Sequence, residues 1–283
     1  MKPASGIGVL EKTMRVLNVL AGEPRPWGVR ELSRHLELNP STVLRILDVL
    51  EAHAYVAQDP VTRRYQLGNV FYRFFSTLTQ MNSLTTLSES AMLRLREATG
   101  ETIYLNVLRG EERVCIASMR SPQPLCAVIP VGCCTPLHLG ASATCLLAFA
   151  RDDFREAYLQ KLQRGEVASL SVSDVCHLRR ELDQIVATGF AMISGQLTQG
   201  YSAISAPVFN RKSTVEASLT LGIPDVRFAD MTHRERCIVE LRRTAAELSA
   251  ALGYPKTNPW DATSATKTNA LAAVHELAVG ESH

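Results

Sequence analysis

The sequence predicts an α+β chain in two parts: a small three-helix head closed by a β-hairpin, then a larger domain of mixed sheet and helix. Three observations predict it. Within the first 68 residues, three short apolar repeats at helical spacing run into two β-rich runs around a polar turn. From Thr102 onward, β-rich and helical runs mix as they do in a mostly antiparallel sheet flanked by helices. A chain of 283 residues also exceeds one ordinary core. The expected boundaries are 6–68 for the head, 69–82 for a linker helix, 83–253 for the larger domain and 254–283 for a mobile tail.

In the head, Val9, Thr13, Val16, Leu17 and Leu20 recur at helical spacing and predict a first helix over 8–21. Gly22, Pro24, Pro26 and Gly28 end it. Val29–Leu36 is a short second helix with Leu32 and Leu36 inward. Asn39 is placed to cap, and Pro40 to open, a third helix reaching His53, with Val43, Ile46, Leu47 and Leu50 on one face. Ala54–Ala57 and Arg64–Leu67 flank the turn Asp59–Arg63 as a hairpin. After Gly68, the stripe Val70, Phe71, Phe74, Phe75 and Leu78 forms the linker helix, and fits either a dimer seam or packing on its own domain.

In the larger domain, helices are expected over 84–99, 140–151, 153–162, 173–188 and 230–252. Strands are expected over 102–108, 113–119, 190–193, 201–208 and 215–222. Beyond Tyr254 the composition turns to Pro, Thr, Asn, Ser and Ala, which predicts a mobile tail with a short helix over Asn269–Val279.

Composition removes several classes. At 46% hydrophobic and 20% charged, the chain is globular rather than disordered. No apolar run approaches the roughly 18 residues of a membrane span. Glu11, Lys12 and Arg15 interrupt any signal-peptide core, so the expected compartment is the cytoplasm. The seven cysteines are odd in number, and Cys115, Cys126, Cys145 and Cys237 sit in apolar context, as buried reduced thiols do. Cys133-Cys134-x3-His138 and Cys176-His177 do not complete a four-ligand zinc pattern, and a cysteine nucleophile needs a base and an orienting partner besides. No cofactor, metal or catalysis is expected; a thiol or metal enzyme is the alternative class. The net charge of +2 is nearly neutral, with +3 on residues 1–75 and −1 on the rest, so a nucleic-acid partner has to rest on a motif.

The head supplies one. Two short helices joined by a tight turn and followed by a basic hairpin are a winged helix-turn-helix, which lays its third helix in the major groove. With Val43, Leu47 and Leu50 inward, Ser41, Thr42, Leu44 and Arg45 lie on or near the outer face. Arg45 suits guanine or a phosphate, Ser41 and Thr42 suit phosphates, and Leu44 suits a thymine methyl. Arg63 and Arg64 at the hairpin tip suit the backbone or minor groove, and Arg30 and Asn39 complete the expected DNA-facing set. Taken singly, Arg45 is equally a solvated charge and Ser41-Thr42 a simple cap.

The run NPSTVLRILDVLEAHAYVAQDPVTRRYQLG (Asn39 to Gly68) resembles the DNA-binding domain of the IclR family of regulators. The resemblance is carried by Ser41, Thr42, Val43, Arg45, Leu50, Glu51, Tyr55, Tyr65, Leu67 and Gly68. Ala54 stands where that family usually has glycine, and Leu44 where histidine is common. Thr99 to Met119, Pro136 to Phe149, Gly189 to Met192 and Gly200 to Val208 resemble its effector domain in order. The resemblance implies a GAF/profilin-like α/β effector-binding domain, homodimers or homotetramers, and a palindromic double-stranded DNA operator.

It also implies a small-molecule pocket. The residues placed on its wall are Met119, Leu125, Gly140, Ala141, Ser142, Ile193, Ala203, Leu219 and Leu221. Open amides at Gly140 to Ala143 would receive an anion; the same small residues equally permit close helix packing. Against the family pattern, Ile193, Ser194, Gly195 and Gln196 replace an acidic cluster, Ala203 a cysteine, Leu219 and Leu221 serines, and Ala143-Thr144 a Gly-Lys. Together these predict a carboxylate effector with an aromatic or aliphatic body. The alternative is a closed pocket and a regulator that needs no ligand.

Overall fold

The computed structural model describes residues 5–255, apart from Pro24, Asn82, Ser169 and Leu170. The tail helix expected over Asn269–Val279 lies outside the described residues. The chain divides into two compact units, the first ending at Ser83 and the second beginning at Leu84.

The first unit runs α1 (Ser5–Gly22), α2 (Val29–Leu36), α3 (Pro40–Ala52), β1 (Val56–Gln58), β2 (Tyr65–Leu67) and α4 (Val70–Met81). Its core joins Val16 and Leu20 of α1, Leu32 and Leu36 of α2, and Val43 and Leu47 of α3, with Trp27 closing one side. Each such side chain, fully buried, contributes about 1.5–3 kcal/mol. Asn39 Oδ1 caps α3 by accepting from the Ser41 N–H at 3.1 Å, and Pro40 opens the helix. β1 and β2 are antiparallel, with Ala57 opposite Gln66. The main chain of Trp27 adds two bonds of 2.8 Å to Tyr65, so the hairpin is a three-stranded edge locally.

Both helices of the helix-turn-helix stop the same way. After α2, the Glu37 and Leu38 amides bond back to Arg34 and Ser33 carbonyls; after α3, the Ala54 and Tyr55 amides bond back to Glu51 and Leu50. These are Schellman turns, and they put Glu37 and Ala54 in the left-handed region, at φ +55 and +59. Position 54 is thus one where the backbone favours glycine. Gly68 is one as well: a Cβ there would lie 2.2 Å from the Ala54 carbonyl oxygen.

The second unit runs α5 (Ser83–Thr99), β3 (Thr102–Arg109), β4 (Glu112–Met119), β5 (Cys134–Pro136), α6 (Ala141–Ala148), α7 (Asp152–Gln163), α8 (Val172–Thr188), β6 (Ala191–Ser194), β7 (Tyr201–Phe209), β8 (Val215–Pro224), α9 (Asp225–Phe228) and α10 (Met231–Ala251). The strands form one antiparallel sheet in the order β5-β4-β3-β8-β7-β6. Strand alternation splits the core into two. Ile103, Leu105, Leu219 and Leu221 pack with α5 and α10 in one cluster; Leu146, Leu147, Leu159, Leu182 and Ile185 of α6 to α8 form the other. Two elements were not expected: β5, a three-residue edge strand ending in proline, and α9, a single turn. The chain leaves α10 with Tyr254 stacked on Phe209, ring centroids 5.0 Å apart. No helix among the described residues is long and apolar enough to cross a membrane.

Candidate functional site

The head carries one candidate surface, on α3. Val43, Ile46, Leu47 and Leu50 are buried, which turns Ser41, Leu44 and Arg45 outward and leaves Thr42 half-buried. Leu44 is 42% exposed. Asn39 is not free in the way expected, since its Oδ1 accepts from both Ser41 N and Ser41 Oγ. Its role is to start the helix and aim Ser41.

The hairpin turn is built by Asp59, whose Oδ1 accepts from Val61 N, Thr62 N and Thr62 Oγ1. Those Thr62 bonds hold its carboxyl below the usual range. The turn leaves Arg63 exposed, at φ +56, with its carbonyl fixed by Gln58. Arg64 departs from expectation. Its guanidinium bonds the Pro26 carbonyl at 3.0 Å and pairs with Glu31 at 3.2 Å. Glu31 is itself held low chiefly by the Gly28 N–H, with Arg64 and Arg25 adding to it. Arg64 thus ties the hairpin to the start of α2, and of the basic residues expected to face DNA, Arg30, Arg45 and Arg63 are exposed.

The second unit contains a cavity of about 270 Å³ between the sheet and the start of α6. Gly140, Ala141, Ser142, Ile193 and Ala203 line it, as the sequence suggested. Four residues placed on its wall lie elsewhere. Leu219 and Leu221 are fully buried on the opposite face of β8, against α5 and α10. A one-residue shift in register exchanges the faces of a strand, and it is Thr220 and Gly222 that face the cavity. Met119 packs against the same far core, and Leu125 is half exposed, offering its carbonyl to Arg227. The wall is therefore more polar than the sequence implied.

Three features were not anticipated. The first is the bond made by Gln196, whose Oε1 accepts from the Gly140 N–H at 2.7 Å, so that amide is not open. Leu197 seals the same spot: a Cβ on Gly140, at φ +83, would lie 2.4 Å from its Cδ1. The second is a wall supplied by the loop Cys126 to Ile129. Tyr104 Oη accepts from the Ile129 amide, and Tyr201 Oη donates to the Cys126 carbonyl. Arg227, held by both oxygens of buried Glu101 at 2.6 Å, grips this loop at Leu125 O. His233 Nε2 stands 2.9 Å from the same carboxylate.

The third is a buried polar strip on the sheet's cavity face. Arg113, 1% exposed, donates to Asn106 Oδ1, Thr135 Oγ1 and the Cys133 carbonyl. Asn106 Nδ2 in turn donates to Thr220 Oγ1 at 3.2 Å, and Thr220 meets Ser205 at 2.9 Å. Parity along β4 is the signal that could have found it, since Arg113 and Cys115 share one face while Val114 and Ile116 join the far core.

Cys115, Cys126, Cys145 and Cys237 are buried and placed for packing, whereas Cys134 and Cys176 are exposed. Burial pushes the thiols of Cys115, Cys145 and Cys237 up, to about 11, 12 and 12. His138 Nδ1 is engaged with Tyr158 Oη at 2.9 Å rather than with Cys133 or Cys134. Among the described residues, no three potential ligands gather around one point.

Comparison with known proteins finds relatives that match across both units. The HTH-type transcriptional regulator BhcR of Paracoccus denitrificans (strain Pd 1222) is 26% identical over 227 residues, covering 80% of this chain and 81% of its own. The HTH-type transcriptional regulator KdgR of Escherichia coli (strain K12) is 27% identical over 253 residues, covering 89% and 95%. The IclR structure from Thermotoga maritima superposes with a TM-score of 0.71 at 23% identity, covering 88% of this chain and all of its own. An IclR homolog from Microbacterium hydrocarbonoxydans, solved with 4-hydroxybenzoate, gives 0.69 at 20% identity, covering 86% and 98%. These two structures establish the fold. The model of the IclR helix-turn-helix domain matches residues 9–60, and that of the bacterial transcriptional regulator IclR C-terminal domain matches residues 76–250. With both halves matched in order, the chain belongs to the IclR family of bacterial transcriptional regulators.

Proposed function

We propose that this regulator reads a palindromic operator through α3 and the hairpin, and changes its operator affinity when a small carboxylate with an apolar body fills the cavity of the second unit. The observation that carries the reading is that cavity, open at about 270 Å³ and walled by Ile193, Ala203, Ala141 and Leu197. Pockets of this kind take their affinity from apolar walls and their specificity from a few polar groups. The homolog solved with 4-hydroxybenzoate supports an aromatic acid as the first compound to try.

On the DNA side, Ser41, Thr42, Leu44, Arg45, Arg30 and Arg63 are the contacts. One recognition helix reads too few bases for useful specificity, so the chain acts as a homodimer or homotetramer in the cytoplasm. Effector binding shifts the population of spacings between paired heads. The test combines two measurements: a mobility-shift titration on the regulator's own upstream DNA, and calorimetry with aromatic and aliphatic acids. The reading requires a saturable shift at nanomolar protein and an acid that alters it at least fivefold. A shift indifferent to every acid, with no heat of binding, leaves a ligand-independent regulator instead.

A further inference from the structure

We propose that Cys115 and Cys133 form a reversible disulfide when a hydroperoxide reaches the second unit, and that this bond staples the loop leading to β5 onto β4. The pair stands outside the effector reading above and does not depend on it.

Backbone register sets the two cysteines opposite each other. β4 and β5 pair Glu112 with Pro136, Arg113 with Thr135 and Val114 with Cys134, and one step further Cys115 meets Cys133. There the Cys115 amide donates to the Cys133 carbonyl at 3.0 Å. The return bond comes one residue early, from the Gly132 amide to the Cys115 carbonyl at 2.7 Å. With Gly132 at φ +88, this is a β-bulge of the glycine type, and its second residue, Cys133, stays opposite Cys115. Residues opposed across such a bonded pair have Cα atoms about 5.5 Å apart, and a disulfide spans about 4.4–6.8 Å. Opposed side chains share a sheet face, as the bond of 3.0 Å from Arg113 Nε to Thr135 Oγ1 shows two positions along.

The sulfurs are engaged only weakly. Cys115 Sγ lies 3.5 Å from the Ala117 carbonyl and Cys133 Sγ 3.9 Å from the Cys134 carbonyl. Joining them takes rotation of two side chains and leaves the strands in register. The other thiols are worse placed. Cys134 is opposite Val114, so alternation turns it to the other face, and it is exposed. Cys126 accepts from Arg120 Nε at 3.1 Å, while Cys145 and Cys237 lie in separate core clusters.

Cys133, half-buried where Cys115 is fully buried, meets the oxidant first. Its sulfur attacks a peroxide oxygen and the O–O bond breaks. The departing hydroxide takes the thiol proton as water, and a sulfenic acid remains. The Cys115 sulfur then attacks the Cys133 sulfur, the S–O bond breaks, and the hydroxide leaves as water with the Cys115 proton. Two thiols and one hydrogen peroxide give one disulfide and two waters. Burial pushes the Cys115 thiol up to about 11, so it closes the bond rather than starting it. The bond ties down the end of the loop whose middle, Cys126 to Ile129, walls the cavity.

The test treats the full-length protein with hydrogen peroxide, unfolds it, blocks free thiols with N-ethylmaleimide and maps disulfides by mass spectrometry. The expected product joins Cys115 to Cys133 within one chain, reverts with dithiothreitol, and forms equally in Cys134→Ser. In Cys115→Ala, dimedone traps a sulfenic acid on Cys133; in Cys133→Ser no disulfide reaches Cys115. Hydrogen exchange in peptides covering 121–132 slows about threefold or more on oxidation. If Cys115→Ala does not fold, the product maps of the unaltered protein and Cys134→Ser decide alone. A bond from Cys133 to Cys134, a bond between the Cys134 residues of two chains, or Cys115 recovered as a free thiol overturns the assignment. A Cys115–Cys133 bond that leaves exchange in 121–132 unchanged overturns the staple.

Discussion

Replacing Ala54 by glycine isolates one backbone angle in the head. Ala54 follows α3 at φ +59, held there by its own amide to Glu51 O and the Tyr55 amide to Leu50 O. A left-handed conformation costs an L-residue about 1–2 kcal/mol. Glycine does not bear that strain but loses about 0.5–1 kcal/mol more chain entropy on folding. The difference is a net stabilisation of about 0.5–1 kcal/mol. At about 4–8 °C per kcal/mol for a domain of this size, the head should melt about 2–8 °C higher. His53→Gly is the control. His53 has φ −100, so glycine there brings only the entropy loss and should lower the midpoint. Calorimetry on the full chain, with hydrogen exchange on peptides covering 40–70, assigns the change to the head. If both substitutions move stability the same way, backbone strain at position 54 is not what the family's glycine relieves.

Arg45→Ala should lower specific operator affinity by about 1–3 kcal/mol with the melting temperature unchanged; a mobility shift with unaltered operator preference removes Arg45 from the base-reading set. Burial holds the His138 imidazole below its usual pKa, so the folded state binds that proton less readily than the unfolded chain. The resulting stability is present above about pH 6.5 and is lost as the pH falls from there through the depressed value. His138→Phe should flatten that slope in urea titrations between pH 7 and pH 5. Arg227→Met strips Glu101 of its bidentate partner, and breaking such a buried pair costs about 3–5 kcal/mol. Urea unfolding should reach the lower end of that range, because His233 still faces Glu101.

Much of this was legible in the sequence. The helices of the head follow from apolar spacing, and Asn39-Pro40 marks the start of α3 because a cap and a fixed φ belong there. Periodicity also located the sheet's longer strands. It could not locate β5, whose three residues hold no alternation, or α9, which is one turn. The cavity was only half legible. Gly140 to Ser142 belong to a helix start, which leaves a local signature; Cys126 to Ile129 belong to a loop, which leaves none, and the bond of Gln196 to Gly140 spans 56 residues. Leu219 and Leu221 were misplaced because period-two patterning gives the two faces of β8 but not which of them meets the ligand. Arg64 resembled a hairpin-tip contact because its partners, Pro26 and Glu31, are more than thirty residues upstream.

β8 serves two masters by turns along its length. Its odd-numbered leucines fasten α5 and α10, while Thr220 and Gly222 between them form the cavity floor. A mutation at an even position can change what the protein senses without loosening the scaffold, and one at an odd position can do only the reverse. Divergence in chemical taste between relatives should therefore gather at every second residue of this strand, and a library meant to retrain the sensor can leave the intervening codons untouched.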